Sequence, residues 1–533
     1  MRITTYFILF IALFYGSCKS FLDEDPKGFL APGNTYTSTD GFEIGINGLH
    51  SYARQEYSTW TEGEIITHGA NPYESLQVGT DICITGLGDA TLVPFENYTL
   101  HNASSYVKSF WKYSYGLIGN ANLILEASEN PDVKWDNPAA DKARVQAIAR
   151  FFRAYAYRYL VYLYGDVPWV EKVERNTRTD FTRTPKAEVL EHMIEDLRFA
   201  ADNLTENADG VKEGELTKWA ALHLLAEVYL MDGNPTDAKQ AALDVIGSNQ
   251  YNLMDTRFGT QKSQAGDPFS DLFKEGNQDR RVGNREVIWA MQLQFQTQGG
   301  GDRYMDWSKR AWVPYYSNVP GFVLADSLGG RGLGQIVPLD WWLNGYEAVD
   351  MRNSAYNIKR DWYYNDPKGE HYGEKVAITA DQRDKGLLFA TTTKFFYGKT
   401  ELDPAYEGNN KDRVKSRLAE TYLLLAEAQL GLQDPGGAAI SINKIRERAG
   451  ARPVTAADIT VDFLLDERAR ELLGEEVRRF TLARFGADVF EERVKRLNPR
   501  SATAFKKTNV LWPIPQEVID ANSDAEFPQN LGY

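Results

Sequence analysis

The chain has 533 residues, of which 43% are hydrophobic and 25% are charged, and its formal net charge is −15. This length exceeds one ordinary core and fits two or three substructures, or one elongated helical domain. The acidic balance excludes nucleic acid as a partner, because the phosphate backbone repels negative charge. The only two cysteines, Cys18 and Cys83, exclude a disulfide framework and a cysteine-rich metal site.

The N-terminus predicts a secretory leader. Arg2 precedes an apolar run over residues 6–15, and two small residues then stand immediately before Cys18. A cysteine after two small residues is what a bacterial lipoprotein signal peptidase recognises. We therefore predict a signal peptide over residues 1–17 and lipidation of Cys18, which anchors the mature chain to a membrane. The alternative is an ordinary cleaved signal followed by an incidental cysteine.

Helical periodicity is clear in the first half of the chain. Residues 111–127 carry apolar side chains at helical spacing, and residues 141–164 repeat them three and four positions apart. Gly165, with Pro168 after it, predicts the end of the second helix. We therefore predict an N-terminal helical part over residues 18–250.

Two segments of the chain match each other. Residues 224–238 read LLAEVYLMDGNPTDA and residues 424–438 read LLAEAQLGLQDPGGA, and they align without gaps. Small residues at a helix crossing, a turn with proline and an alanine-rich second helix are typical of a tetratricopeptide-like hairpin. Because neither hairpin buries its apolar face alone, we predict that several stack into one scaffold.

The stretch between these hairpins has a different composition. It is rich in Gly, Asn, Asp, Trp and Tyr, and its helical periodicity fades. Strand-like pieces occur at residues 286–293 and 390–397. We predict a loop-rich aromatic region over residues 251–410, laid over the helices, and long loops of this kind commonly carry function.

The C-terminal part, residues 411–533, is again helical. Residues 461–485 are interpreted as one helix whose acids and arginines, three and four positions apart, form ion pairs on a solvated face. The predicted fold class is therefore mainly α, with tetratricopeptide-like helical hairpins and a loop-rich layer that contains short strands.

Several blocks, in this order along the chain, resemble the SusD/RagB family of Bacteroidetes nutrient-uptake lipoproteins. They are Cys18 with Phe21, Leu22 and Pro26; residues 111–122; ARFFRAYAYRYLVYLYGDVPWV at 149–170; RLAETYLLLAEAQ at 417–429; INKIRERAG at 442–450; LLDERARELLGEEVRRFTLARFG at 464–486; LWPIPQEVIDAN at 511–522; and Pro528, Gln529, Asn530 and Gly532. The resemblance implies four tetratricopeptide-like helix pairs in a surface-exposed outer-membrane lipoprotein. It also implies a SusC-like TonB-dependent transporter as partner, to which oligosaccharides are passed.

Motifs for catalysis are missing from the sequence. His192 is followed by Glu195 without a second histidine nearby, and the six histidines show no zinc-ligand spacing. The sequence contains no GxSxG motif and no phosphate-binding loop. We therefore predict a binding protein that is not an enzyme and uses no cofactor or metal. Two alternatives stay open: a helical-repeat scaffold for peptide or protein partners, and a secreted glycoside hydrolase.

An oligosaccharide site needs aromatic planes for stacking and polar groups for hydroxyls. A first cluster that fits is Tyr57, Trp60, Tyr73 and Asp81. A second cluster holds five aromatic residues and a guanidinium within a short stretch, namely Arg303, Tyr304, Trp307, Trp312, Tyr315 and Tyr316. The family has no fixed binding motif, so these residues are predicted from chemistry and location. The alternative is that the rings pack the loop layer onto the scaffold.

Further predictions concern three tryptophans and one cysteine. Trp341 and Trp342 are adjacent, so we expect one of them to face the interior, and Trp362 is a weaker candidate ligand contact. Cys83 is interpreted as a small buried apolar residue rather than a reactive thiol.

Overall fold

The structure is a computed structural model that describes residues 32–57, 60–61, 64–65, 72–86, 90–294, 297, 300, 306–398 and 408–533. The predicted signal peptide and Cys18 lie outside the described residues. Within these ranges, the helices fall short of the combination of length and apolar character that crossing a bilayer requires.

The fold is mainly helical, and the helices are named α1 to α19 in chain order. The first group comprises α1 Pro32–Thr35, α2 Thr39–Ala53, α3 Pro72–Ser75, α4 Val93–Glu96, α5 Ser105–Ser128, α6 Pro138–Tyr164, α7 Lys186–Asn203, α8 Lys218–Met231 and α9 Pro235–Gly247. The second group comprises α10 Pro268–Asp271, α11 Ser308–Trp312, α12 Asp340–Asn344, α13 Ala380–Asp384, α14 Leu418–Gly431, α15 Pro435–Arg448, α16 Val461–Leu472, α17 Arg478–Arg484, α18 Ala487–Leu497 and α19 Gln516–Ala521.

Short strands join in antiparallel pairs. The pairs are β1 Trp60–Thr61 with β2 Glu64–Ile65, β3 Cys83–Thr85 with β5 Ile336–Pro338, β4 Val287–Met291 with β8 Arg413–Arg417, and β6 Ile358–Lys359 with β7 Thr391–Thr392. The predicted strand at 286–293 is confirmed as β4. The predicted strand at 390–397 shortens to β7, because the chain turns after Thr392.

The long helices form one continuous stack. Each helix from α5 to α9 packs against the next, α9 packs directly against α14, and α14 packs against α15. The chain leaves this stack after α9 and returns at α14, and β4 pairs with β8 where it returns. The hairpins are thus split in sequence but adjacent in space, which confirms the predicted scaffold with a loop-rich layer.

The matching hairpins share their local chemistry. Asn234 and Asp434 cap α9 and α15 by accepting hydrogen bonds from backbone N–H groups, and a proline follows each cap. Ala226 and Ala426 are fully buried, which lets neighbouring helices approach closely. Sequence similarity therefore reflects the same turn and the same close packing at two places in the stack.

Two other local predictions are confirmed. Helix α6 ends at Gly165, whose φ of 75° is readily available to glycine. Cys83 is fully buried in β3, and burial raises the pKa of its thiol well above the ordinary value. The side chain therefore behaves as a small core residue.

The prediction of one solvated helix over residues 461–485 is wrong. The segment contains two helices, α16 and α17, separated at Gly474, which has a φ of 74°. Several of its charged side chains are buried: Glu467 and Glu471 are fully buried, and Arg468 is 1% exposed. The spacing indicated ion pairs correctly, but most of the pairs join this segment to other elements inside the fold.

Candidate functional site

The first predicted cluster lies mostly in the core. Tyr57 and Tyr73 are each 2% exposed, and their ring centroids are 4.8 Å apart. The Arg413 guanidinium lies 4.5 Å from the Tyr57 ring centroid. The Lys415 ammonium lies 4.5 Å from the Tyr73 ring centroid. The structure therefore corrects the prediction for Tyr73, because protein groups already occupy the ring faces that would stack on a sugar.

Asp81 is a structural anchor rather than an exposed polar group. It is fully buried, and both of its oxygens accept hydrogen bonds from Arg478, each at 2.8 Å. Arg493 donates a third bond at 2.9 Å. Burial by itself would raise the pKa of Asp81, but the two guanidiniums outweigh burial and hold the pKa at about 2. This pairing corrects the prediction that Asp81 meets ligand hydroxyls.

Trp312 of the second cluster is also buried. Its indole N–H donates a hydrogen bond of 2.5 Å to Glu74, and its ring stacks on Phe395 with centroids 5.3 Å apart. Tyr316 and Trp362 are both fully buried, and their ring centroids lie 5.5 Å apart. The Trp312 ring packs the loop layer onto the scaffold, whereas the Tyr316 and Trp362 rings pack against each other within the loop layer. All three are core rings, which corrects the prediction that they contact ligand.

Trp307 and Tyr315 have different surroundings. Trp307 is 8% exposed, and the Arg310 guanidinium covers its ring at 4.1 Å from the centroid. Tyr315 is half-buried beside the Gly386 carbonyl, to which its backbone N–H donates a hydrogen bond. Tyr315 stays a predicted ligand contact, whereas the face of Trp307 that meets Arg310 is not open to a sugar.

Three predicted contacts lie where the structure does not describe side chains. Arg303 and Tyr304 fall outside the described residues, and of Trp60 only the backbone, in β1, is described. Of the adjacent pair, Trp342 is 2% exposed and Trp341 is half-buried, which confirms that one ring faces the interior.

The loop layer contains an open aromatic cavity of about 370 Å³ that we call the Tyr356 cavity. Its lining residues are Gln261, Ser270, Phe273, Lys274, Glu275, Ser327, Ala355, Tyr356, Lys359, Thr393, Phe396, Tyr397 and Gly398. Tyr356 is 47% exposed, and Phe273 and Phe396 are half-buried. Rings with accessible faces are thus present in the loop layer, but at positions that the sequence did not single out.

Short strands and turns hold the walls of this cavity in place. The pairing of β6 with β7 sets Ile358 opposite Thr392. The Thr393 hydroxyl donates a hydrogen bond of 2.6 Å to the Tyr356 carbonyl. Phe396 packs beside Gly329, where a Cβ atom would lie 2.9 Å from the ring. The backbone around Tyr356 is therefore fixed on two sides while its ring stays exposed.

The chemistry of the cavity suits a sugar. Aromatic faces bind the apolar C–H faces of a pyranose, and ammonium, carboxylate, amide and hydroxyl groups bind its rim. Lys274, Lys359, Glu275, Gln261 and Ser327 supply those polar groups. The volume lies within the range of about 300 to 1,000 Å³ that is typical of small-ligand sites.

The signal for this site was present in the sequence but weak. The pair Phe396 and Tyr397 lies inside a segment that the alternation of residues marked as a strand. Tyr356 follows only small and polar residues, without a neighbouring ring. What separates it from a core tyrosine is its exposure, which sequence does not report.

A larger groove of about 720 Å³ lies on the helical scaffold, and we call it the helical groove. It is lined by Trp111, Tyr115, Ile118, Gly119, Leu123, Pro168, Val170, Lys172, Val173, Glu174, Arg178, Phe181, Glu517, Val518, Ala521, Asn522 and Phe527. Most of these side chains are apolar, so the groove offers few partners for sugar hydroxyls. An exposed groove with a mostly apolar lining is typical of a surface that a protein segment covers.

Among the described residues, no set of three or more His, Cys, Asp or Glu side chains is placed to hold a metal ion. The fold and cavity therefore define a helical-hairpin scaffold that carries a loop layer with an open aromatic cavity in its described part.

Comparison with known proteins identifies the family to which this chain belongs. A model described as "SusD family" matches residues 285–533, and a model described as "Starch-binding associating with outer membrane" matches residues 82–230. The SusD-like protein P25 of Formosa agariphila is 24% identical over 572 aligned positions, covering 100% of this chain and 99% of that protein. The chain belongs to the SusD/RagB family.

Solved structures agree with this assignment at the level of the fold. A SusD-like protein from Bacteroides fragilis superposes with a TM-score of 0.72 at 18% identity, covering 96% of this chain and 99% of that one. Surface glycan-binding protein A from Bacteroides thetaiotaomicron, solved in complex with laminarihexaose, superposes with a TM-score of 0.70 at 20% identity, covering 93% and 100%. The mainly helical fold class predicted from sequence is confirmed.

Proposed function

We propose that this chain is a lipid-anchored outer-membrane protein, exposed at the cell surface, that binds oligosaccharides without cleaving them. In this proposal, Cys18 carries the lipid and the Tyr356 cavity holds the sugar. The observation that carries the proposal is an open cavity that combines accessible rings with polar groups in the loop layer. The fold shared with a glycan-binding protein solved with laminarihexaose supports it.

The cavity itself favours binding over catalysis. Glycoside hydrolysis commonly uses two carboxylic acids that flank the scissile bond. Among the described residues that line the Tyr356 cavity, Glu275 is the only carboxylate. The proposed function therefore includes no bond cleavage, and incubation with mixed polysaccharides should release no new reducing ends.

Other predicted contacts belong to the same proposal. Trp60, Arg303, Tyr304 and Tyr315 stay predicted ligand contacts.

The proposed function includes handover to a SusC-like TonB-dependent transporter. The helical groove supports a protein partner, since its lining is mostly apolar and open to solvent, and exposed apolar surface is typical of interaction sites. It also favours the second candidate function, a scaffold that binds a protein partner. In this proposal the loop layer binds the sugar and the helical scaffold binds the transporter.

The binding experiment uses the full chain purified in detergent. Laminarihexaose, maltohexaose and hexamers of uronic acids are titrated by calorimetry. We expect at least one to bind, and Tyr356→Ala to weaken it roughly tenfold, because one stacked ring contributes on the order of 1 to 2 kcal/mol.

The matched control is Tyr363→Ala. Tyr363 is also 47% exposed but does not line the cavity, so its loss should leave binding unchanged. Equal binding by wild type and Tyr356→Ala would contradict the assignment of the cavity, and no binding to any glycan tested would contradict the proposed function.

A further inference from the structure

Lys359 places a positive charge in the wall of the Tyr356 cavity. It is the second residue of β6, it is half-buried, and its ammonium lies 4.8 Å from the centroid of the buried Trp362 ring. The acid two residues further on, Asp361, forms its ion pair with Lys375 at 2.8 Å. Among the described residues, no carboxylate oxygen lies within 4.0 Å of the Lys359 ammonium.

The other cation in the cavity is already engaged. The Lys274 ammonium donates a hydrogen bond to the Ala265 carbonyl at 3.1 Å and lies 3.5 Å from Asp271. Asp271 is fully buried and also binds Arg257 at 2.5 Å. One carboxylate thus pairs with two cations, and Glu275 is the only acid in the described part of the cavity lining.

This local charge is opposite to that of the whole chain, whose formal net charge is −15. Burial of the Lys359 ammonium removes part of its hydration and lowers its pKa, and the negative charge of Asp361 offsets this lowering only in part. A half-buried cation that pairs with no described carboxylate is stabilised by an anion that enters the cavity. A neutral sugar offers only hydroxyl oxygens at this position and recovers less of the lost hydration.

We propose that the sugar held in the Tyr356 cavity is acidic, and that its carboxylate or sulfate ester binds Lys359 while a pyranose face stacks on Tyr356. This inference rests on the proposed function and adds the ligand class. Both anionic groups present oxygen acceptors to an ammonium, so the contact is the same for a uronate and for a sulfated sugar.

The test compares each acidic oligosaccharide with its own neutral form. The full chain in detergent is titrated with uronate hexamers and their carboxyl-reduced forms, and with sulfated galactan hexamers and their desulfated forms. We expect one acidic member to bind about tenfold more tightly than its neutral form, because a hydrogen bond to a charged group is stronger than one to a hydroxyl. If the uronate pair shows this difference in affinity, the anionic group is a carboxylate. If the sulfated pair shows it, the anionic group is a sulfate ester.

Two variants assign this preference to Lys359. Lys359→Gln should abolish the difference between the acidic and neutral forms, and Lys359→Arg should retain most of it. Lys368→Gln removes an exposed lysine that does not line the cavity, so it reports the effect of total charge alone. Tyr356→Ala should weaken both forms, because the stacking contact is shared.

The outcomes separate the inference from the proposed function. If a neutral oligosaccharide binds as tightly as every acidic form, the acidic-sugar inference is overturned and the proposed function stands. An acidic preference that survives in Lys359→Gln also overturns it. If no oligosaccharide of either kind binds, both proposals fail together.

Discussion

Glu227 and Glu427 occupy equivalent positions in the two matching hairpins, and both carboxylates bind Arg484. Glu427 accepts a hydrogen bond of 2.5 Å from its Nε, and Glu227 lies 3.3 Å from its Nη1. Arg158 of α6 also binds Glu227, at 2.8 Å. A repeated residue thus has a shared physical role: one arginine of α17 joins two hairpins that are separated by the inserted loop layer.

Asp81 shows how a single residue can be misjudged from sequence. An acid in a stretch with tyrosines fits a sugar site, and nothing nearby in sequence neutralises it. Its partner Arg478 lies 397 positions away along the chain. Local sequence therefore showed the residue type, whereas the pairing that fixes its role is a long-range contact.

We expect Asp81→Asn to destabilise the fold by about 3 to 5 kcal/mol, because it leaves Arg478 and Arg493 buried beside a neutral amide. Urea unfolding followed by tryptophan fluorescence measures the change. Asp488→Asn is the control. The Asp488 side chain is 86% exposed and pairs with Lys507, so this variant should unfold at the same urea midpoint as the wild type. Equal stability of Asp81→Asn and wild type would show that the buried ion pairs contribute little.

At the scale of elements, the break between α16 and α17 depends on one glycine. Gly474 has a φ of 74°, and a Cβ atom there would lie 2.6 Å from the Phe395 ring. The turn brings Glu475 to within 2.6 Å of Arg417 and 2.5 Å of Lys394, which connects the C-terminal helices to β8 and to the loop layer. The charged pattern predicted a continuous helix because spacing alone does not reveal where the backbone must turn.

We expect Gly474→Ala to cost about 2 to 4 kcal/mol, since it adds left-handed strain and a clash with a packed ring. Gly373→Ala is the matched control, because Gly373 has a φ of 82° with nothing within 4 Å of its added Cβ, so it reports the backbone strain of about 1 kcal/mol alone. Chemical denaturation of both variants gives the difference. Equal losses of stability in the two variants would mean that the Phe395 ring moves away from the added methyl group at no cost in free energy.

The helical groove is a feature of the whole molecule. Its walls come from α5, from residues 168–181 and from the C-terminal segment around α19, so it exists only when distant parts of the chain meet. Lys112 and Glu517 form an ion pair of 3.3 Å between α5 and α19, at the edge of this surface. A partner that covers the groove would therefore contact the beginning and the end of the helical scaffold together.

We expect Gly119→Arg to abolish co-purification of the chain with a TonB-dependent transporter from native outer membranes. Gly119 is exposed on α5 with nothing within 4 Å of an added Cβ, so the long side chain enters the groove without disturbing the helix. Gly48→Arg on α2 is the control, because Gly48 is equally open but lies outside the groove. Undiminished recovery of the transporter with Gly119→Arg would exclude the groove as its docking surface.

The sequence by itself determined the helical hairpins, their repeated caps and alanines, the mainly helical fold class and the family, because these depend on local spacing and residue type. The tertiary structure decided which rings are exposed and which charges are paired. Trp312 and Tyr356 are both aromatic residues of the loop layer, yet one is fully buried against Glu74 and the other is 47% exposed. Exposure depends on what the rest of the chain places over a side chain, and that information is spread over hundreds of positions.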